Sequence, residues 1–226
     1  DVDVPIHVIH NFVDTNRFNG QAGPCFKDHF VKPGEKIILH VSNFRPVKRL
    51  QDVIKVFAEV QKQVPSKLLL IGDGPERERA LQLAQELKVM DKTYFLGKQN
   101  MIEHYYSISD LLLFPSEYES FGVTALEAMS SKLPVVATTG SGLSEVVEDG
   151  VTGFLRPVGD IQAMAEASVK ILTDESMAKS MGEKGRERAL KCFQAHRITE
   201  TYLDLYHSVL NGNSYVPKNP CQSEVG

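Results

Sequence analysis

The stretch Leu111-Leu112-Leu113-Phe114-Pro115-Ser116-Glu117-Tyr118-Glu119-Ser120-Phe121-Gly122-Val123-Thr124-Ala125-Leu126-Glu127-Ala128-Met129 passes from one kind of structure to another. Residues 111–114 form a short apolar run that reads as a strand buried on both faces. The segment 116–129 then crosses a helix start near Phe121 or Gly122. The same order recurs along the chain. Residues 37–41, 68–71, 94–96 and 135–137 are further short apolar runs. Between them Leu50, Val53, Ile54, Phe57 and Val60 share one helical face, as do Ala80, Leu81, Ala84 and Leu87. Strands joined by helical crossovers predict an α/β fold with a doubly wound, Rossmann-like parallel sheet.

Working outward, residues 4–9 read as a strand followed by a loop at 11–20, as though the chain begins mid-protein. After Asp160 the pattern turns helical, with segments at 161–172, 176–193 and 195–210. Residues 212–226 are poor in apolar side chains and are expected to be disordered. The 226 residues are 42% hydrophobic, enough for a substantial core. Lys and Arg total 25 against 29 Asp and Glu, a net charge of -4, which gives no general reason to expect nucleic acid or an anionic membrane. An anionic ligand then needs a local positive site. Cys25, Cys192 and Cys221 show no metal-ligand spacing, and their odd number argues against a disulfide framework, so a reducing, cytoplasmic setting is expected. The apolar runs are too short to span a bilayer.

In an open parallel sheet ligands bind outside the carboxyl ends of the strands. After the run at 37–41 come Ser42, Asn43, Phe44, Arg45, Pro46, Val47, Lys48 and Arg49. This basic loop suits a diphosphate, because a guanidinium binds phosphate oxygens in pairs and an ammonium acts as a point charge. A solvated basic turn is the alternative. Gly72-Asp73-Gly74-Pro75 permits close approach to a ligand, with Pro75 suited to open a helix, but Arg77 stands where a dinucleotide fingerprint needs glycine. Gly97 and Lys98 end another strand and are candidates for a base edge. Glu119 and Glu127 straddle a helix start whose free amides favour an anion. One carboxylate suits ribose hydroxyls and the other a sugar's, or both are ordinary helix-start and surface acids. Asp1-Val2-Asp3 matches a metal clamp only superficially, and His7, His10, His29, His40 and His104 lack ligand spacing, so no metal is expected.

The basic loop, Gly-Asp-Gly-Pro, and Glu119 separated by seven residues from Glu127 in ESFGVTALEAM together resemble glycosyltransferase family 4, of the GT-B type, over residues 4–210. Residues 8–15 with Phe18 resemble that family's inter-domain linker, with His10 and Phe12 departing from it. Ser42-Asn43 stands where the family often has Gly-Arg, and Ser141 to Glu145 where it often has Gly-Gly-x-Pro-Glu. The resemblance implies that Glu119 holds the sugar hydroxyls and Glu127 the ribose. It implies that Asn43, Gly72, Gly97, Lys98, Ser120 and the amides of Phe121, Gly122, Val123 and Thr124 line the donor site, with Arg45 and Lys48 on the diphosphate.

HNFVDTNRF, SNFRPVKR and SEYESFGVTALEAMS are similar to the subfamily that makes N-acetylglucosaminyl malate for bacillithiol. That implies UDP-N-acetylglucosamine as donor, L-malate as acceptor, retention of configuration, and no metal or other cofactor. It also implies that residues 1–20 are linker and first strand, 21–195 the donor domain, and 196–211 a helix crossing to an acceptor domain of roughly 150 to 200 residues absent from the sequence. A chain without that domain is expected to bind donor without turnover. Two other readings stay open, a non-catalytic nucleotide- or protein-binding module and half of a UDP-sugar epimerase.

Overall fold

Strands buried on both faces need apolar side chains at consecutive positions, and the chain supplies them in runs. In a computed structural model, which describes residues 6–21, 26–140, 142–213 and 215, these runs become β1 (Lys36–Val41), β2 (Ser66–Ile71), β3 (Thr93–Gly97), β4 (Leu111–Phe114), β5 (Val135–Thr138) and β6 (Gly153–Arg156). All neighbours pair in parallel, in the order β3-β2-β1-β4-β5-β6. The chain builds outward from β1 to β3, then returns to place β4 on the other side of β1. The order therefore reverses between β1 and β4, and a crevice opens there at the carboxyl ends.

Alternation along each strand divides the interior into two cores. Ile37, Leu39, Leu69, Leu112, Phe114 and Val135 face one side, where α3 (Ile102–Ile108), α4 (Val123–Ser130), α5 (Leu143–Val146) and the end of α7 (Glu175–Cys192) pack. Ile38, Leu68, Leu70, Leu111, Leu113 and Val136 face the other, under α1 (Leu50–Val60), α2 (Arg77–Glu86) and α6 (Ile161–Thr173). The helical face expected from Leu50 to Val60 is the buried face of α1. Two helix starts are fixed by side chains: Asp160 accepts from the Ala163 amide at 3.0 Å and Asp174 from the Met177 amide at 2.9 Å, each satisfying a donor that the helix leaves open. The last helix, α8 (Ala195–Leu210), buries only Ile198.

Three expectations are corrected. Residues 6–12 form no strand; Ile6 and Val8 are 79% and 71% exposed, so an alternating pattern found no partner, and Val13 instead makes a single bridge to Gln194. Pro75 lies in the turn ahead of α2, which begins at Arg77. The stretch after β5 contains α5 and leads into β6. Cys192 is buried and disulfide-bonded, contrary to the inference from an odd cysteine count, which removes the ground for assigning a reducing compartment. No helix among the described residues is long and apolar enough to cross a membrane. Asp1-Val2-Asp3, Cys25, Ser141, Cys221 and most of the expected disordered tail lie outside the described residues.

Candidate active site at the switch point

The crevice is walled by the loops after β1 and β4. Phe44 anchors the first: its ring is fully buried, its amide donates to Asp73 O at 3.1 Å and its carbonyl accepts from the Glu76 amide at 2.9 Å. Burial of Phe44 thus leaves its neighbours Asn43 and Arg45 exposed at the rim. Gly72 sits directly behind, with φ 129, and a Cβ there would lie 1.7 Å from Ser42 O; its amide donates to Gly97 O at 2.8 Å. Gly72 and Gly97 therefore continue the rim through backbone contacts, and Lys98 stands exposed beyond them at the β3 end.

Lys48 reaches across the switch point. Its Nζ donates to Glu119 Oε1 at 2.5 Å, with the two side chains only 17% and 13% exposed, and it lies 5.6 Å from the centre of the Phe114 ring. Partial burial makes this charge-assisted contact stronger than a surface pair. Arg49 is paired as well: it holds Asp52 at 2.5 Å and Glu117 at 3.3 Å. Arg45 has no ion pair among the described residues. The Glu117 amide also donates to Val47 O at 2.8 Å, so the loops are joined by backbone as well as charge.

Beneath this loop lies His40, buried on β1. Its Nδ1 is 2.9 Å from Leu113 O and its Nε2 2.8 Å from Ser42 Oγ. A carbonyl only accepts, so Nδ1 carries the proton and Nε2 accepts from Ser42. Burial, followed by the opposing Leu113 bond and then the Lys48 charge, leaves its pKa at about 4. A neutral His40 avoids placing a buried cation next to the partly buried Lys48.

α4 begins at Val123, with Gly122 at φ 98 as its N-cap, close to the start expected from sequence. Its first amides have no acceptor within the helix and give the crevice a positive pole. Ser120 and Val123 are exposed there, Thr124 is half-buried, and Phe121 is buried. The loop after β5 clasps this entry: the Gly142 amide donates to Glu119 O at 2.9 Å, and a Cβ on Gly142 would lie 2.3 Å from Ser120 O. Glu127, one turn further along α4, accepts the Tyr106 hydroxyl at 2.8 Å. Its carboxyl is raised above the usual range, chiefly by burial. The structure thus brings Lys48 and Glu119 into contact, with Asn43, Arg45 and the α4 entry around them, and sets Glu127 apart on Tyr106.

Several participants escaped the sequence reading. Tyr106, His40 and the pair Arg17–Glu103, 2.9 Å apart, carry no local signal because their partners are distant in sequence. His10 bonds Glu145 at 2.9 Å and packs on Phe121 and Phe193. Among the described residues no cluster of three metal-ligating side chains occurs. Two shallow grooves of about 190 and 400 Å³ lie at the opposite ends of the strands around Lys36 and Asp110; there Lys27 and Lys36 are occupied by Asp110 and Glu175. The crevice at the carboxyl ends, with its unpaired Arg45 and helix entry, is the better anion site.

A profile of "Glycosyl transferases group 1" matches residues 25–188, which include both crevice loops and α4. The chain belongs to the group 1 glycosyl transferases. It is 40% identical over 206 residues to the N-acetyl-alpha-D-glucosaminyl L-malate synthase of Bacillus anthracis, covering 91% of this chain and 54% of that one. The structure superposes on sucrose-phosphate synthase (tll1590) from Thermosynechococcus elongatus with a TM-score of 0.83 and 30% identity, over 92% of this chain and 53% of that. It is also similar to Anabaena Alr3699/HepE, solved in complex with UDP and glucose, with a TM-score of 0.81 and 25% identity, over 89% and 57%. The architecture of this group 1 glycosyl transferase is that of GT-B glycosyltransferases. The chain spans about half the length of the curated relatives it matches.

Proposed function

We propose that the chain is the donor-binding part of a retaining, family 4 hexosyltransferase that moves N-acetylglucosamine from UDP-N-acetylglucosamine to a small hydroxy acid, L-malate. The observation that carries this reading is the contact of Lys48 with Glu119 across the switch point, beside the amino end of α4. Similarity to the malate synthase of B. anthracis supports the choice of sugar and acceptor, and the complex of Alr3699/HepE with UDP and glucose supports the uridine nucleotide.

Lys48 and the exposed Arg45 neutralise the diphosphate as it becomes the leaving group. Glu119 accepts hydroxyls of the sugar and Glu127 those of the ribose. The amides from Phe121 to Thr124 meet sugar and phosphate, and Asn43, Gly72, Gly97, Lys98 and Ser120 complete the rim. The resemblance to family 4 assigns deprotonation of the acceptor to the donor's own phosphate, so neither a protein nucleophile nor a metal is required. Acceptor binding falls to a further domain joined through residues 1–20, with residues 21–195 forming the donor domain and 196–211 the helix that crosses between them. Donor binding belongs to residues 21–195 in this reading, and turnover requires both domains.

Calorimetry with UDP, UDP-N-acetylglucosamine and ADP tests the reading. Saturable binding with preference for the uridine nucleotides is expected, weakened about 10- to 100-fold in Glu127→Ala and Lys48→Ala through loss of charge-assisted bonds. Equal affinity for ADP, or indifference to both substitutions, would contradict it and leave a non-catalytic module.

A further inference from the structure

Glu127 is held by a partner that belongs to neither crevice loop. Tyr106 stands on α3, is 1% exposed, and gives its hydroxyl to Glu127 Oε2 at 2.8 Å. Its ring cannot turn away without opening the core. Phe18 meets that ring edge-on with centroids 5.7 Å apart, and Phe18 is itself pinned, its carbonyl accepting from Ser130 Oγ at 2.6 Å and from Arg186 at 2.7 Å. Among the described residues Tyr106 is the one hydrogen-bond donor to the Glu127 side chain.

Other charged groups face Glu127 less directly. Arg17, from the segment before β1, favours its ionised form, and Glu103 on α3 opposes it. These two are bonded to each other at 2.9 and 3.1 Å, and His104 acts on Glu103, so they act on Glu127 in opposite directions. Burial pushes the Glu127 carboxyl up while the Tyr106 bond holds it down. The phenol is itself pushed well above its usual range by the same burial and by Glu127, and so remains a donor. A carboxylate offers about four lone-pair directions. Tyr106 occupies one on Oε2, leaving the others to accept a vicinal diol.

We propose that Tyr106 is a positioning residue for nucleotide binding: its buried hydroxyl fixes the Glu127 carboxylate in the orientation and charge state that accept the ribose hydroxyls. The inference rests on the donor-site reading above. It gives Tyr106 a role in affinity although it touches no ligand.

Tyr106→Phe removes the hydroxyl and keeps the ring against Phe18. UDP binding to wild type, Tyr106→Phe and Glu127→Gln is measured by calorimetry from pH 5 to 8, with thermal melting to confirm folding. Titration of UDP itself is common to every arm. Tyr106→Phe is expected to bind about tenfold more weakly at pH 7, and the pH below which binding fades to rise by about one unit. Glu127→Gln binds weakly without that pH dependence. Replacement of Tyr106 by 3-fluorotyrosine, a stronger donor, moves the midpoint down and serves if the Phe variant does not fold. Wild-type binding of UDP with superimposable pH profiles in the Tyr106 variants would overturn the positioning role and leave the donor site intact. Failure of the wild-type chain to bind UDP would overturn the donor-site reading and this inference with it.

Discussion

At the scale of single residues, buried polar groups set the geometry. His40 donates to Leu113 O and accepts from Ser42, tying β1 to β4 under the basic loop. Its pKa falls from 6.5 to about 4, so the folded state resists a proton that the unfolded state takes. The stabilisation from the neutral ring is complete above pH 6.5 and is lost as pH falls toward 4, in all about 3 kcal/mol. His40→Asn keeps a donor for Leu113 and does not titrate. In urea unfolding the stability gap between wild type and this variant is expected to narrow by about 2 kcal/mol between pH 7 and pH 4.5; a constant gap would contradict the role given to His40. Lys48 and Glu119 were legible in the sequence because charges at strand ends stand out. His40 and Tyr106 were not, since nothing near a buried polar residue in sequence names a partner seventy or twenty positions away.

At the scale of elements, the loops after β4 and β5 act as one unit. Gly142 lets Ser120 O approach its Cα, and the Gly142 amide bonds Glu119 O. In Gly142→Ala the added methyl meets backbone rather than a yielding side chain, at a cost of about 1 to 3 kcal/mol. A Tm lower by roughly 2 to 10 °C and weaker binding of UDP-N-acetylglucosamine are expected in melting and calorimetry, because Glu119 moves with its loop. An unchanged Tm would show that the clasp is dispensable. Five strands were readable from their apolar runs and the helices from their faces. β6 was missed because four residues with two large apolar side chains, Phe154 and Leu155, make too short a pattern beside glycines. The run at 4–9 misled because alternation signals a strand only where a sheet edge receives it, and Ile6 and Val8 meet solvent.

At the scale of the whole molecule, a chain with net charge -4 binds an anion only where its topology gathers positive groups. The reversal of strand order between β1 and β4 brings the basic loop to the entry of α4, which the sequence pattern anticipated at the level of loops but not of contacts. Tyr202, Leu203, Tyr206, Val209 and Leu210 are exposed on α8. The most direct test of the donor-site claim is a crystal structure of this chain with UDP-N-acetylglucosamine bound. The diphosphate is expected between Lys48 and Arg45, the ribose on Glu127 and the sugar on Glu119, with Lys48 shared between Glu119 and phosphate. A nucleotide seated instead among Lys27, Lys32 and Lys36 at the opposite end of the sheet would contradict the account.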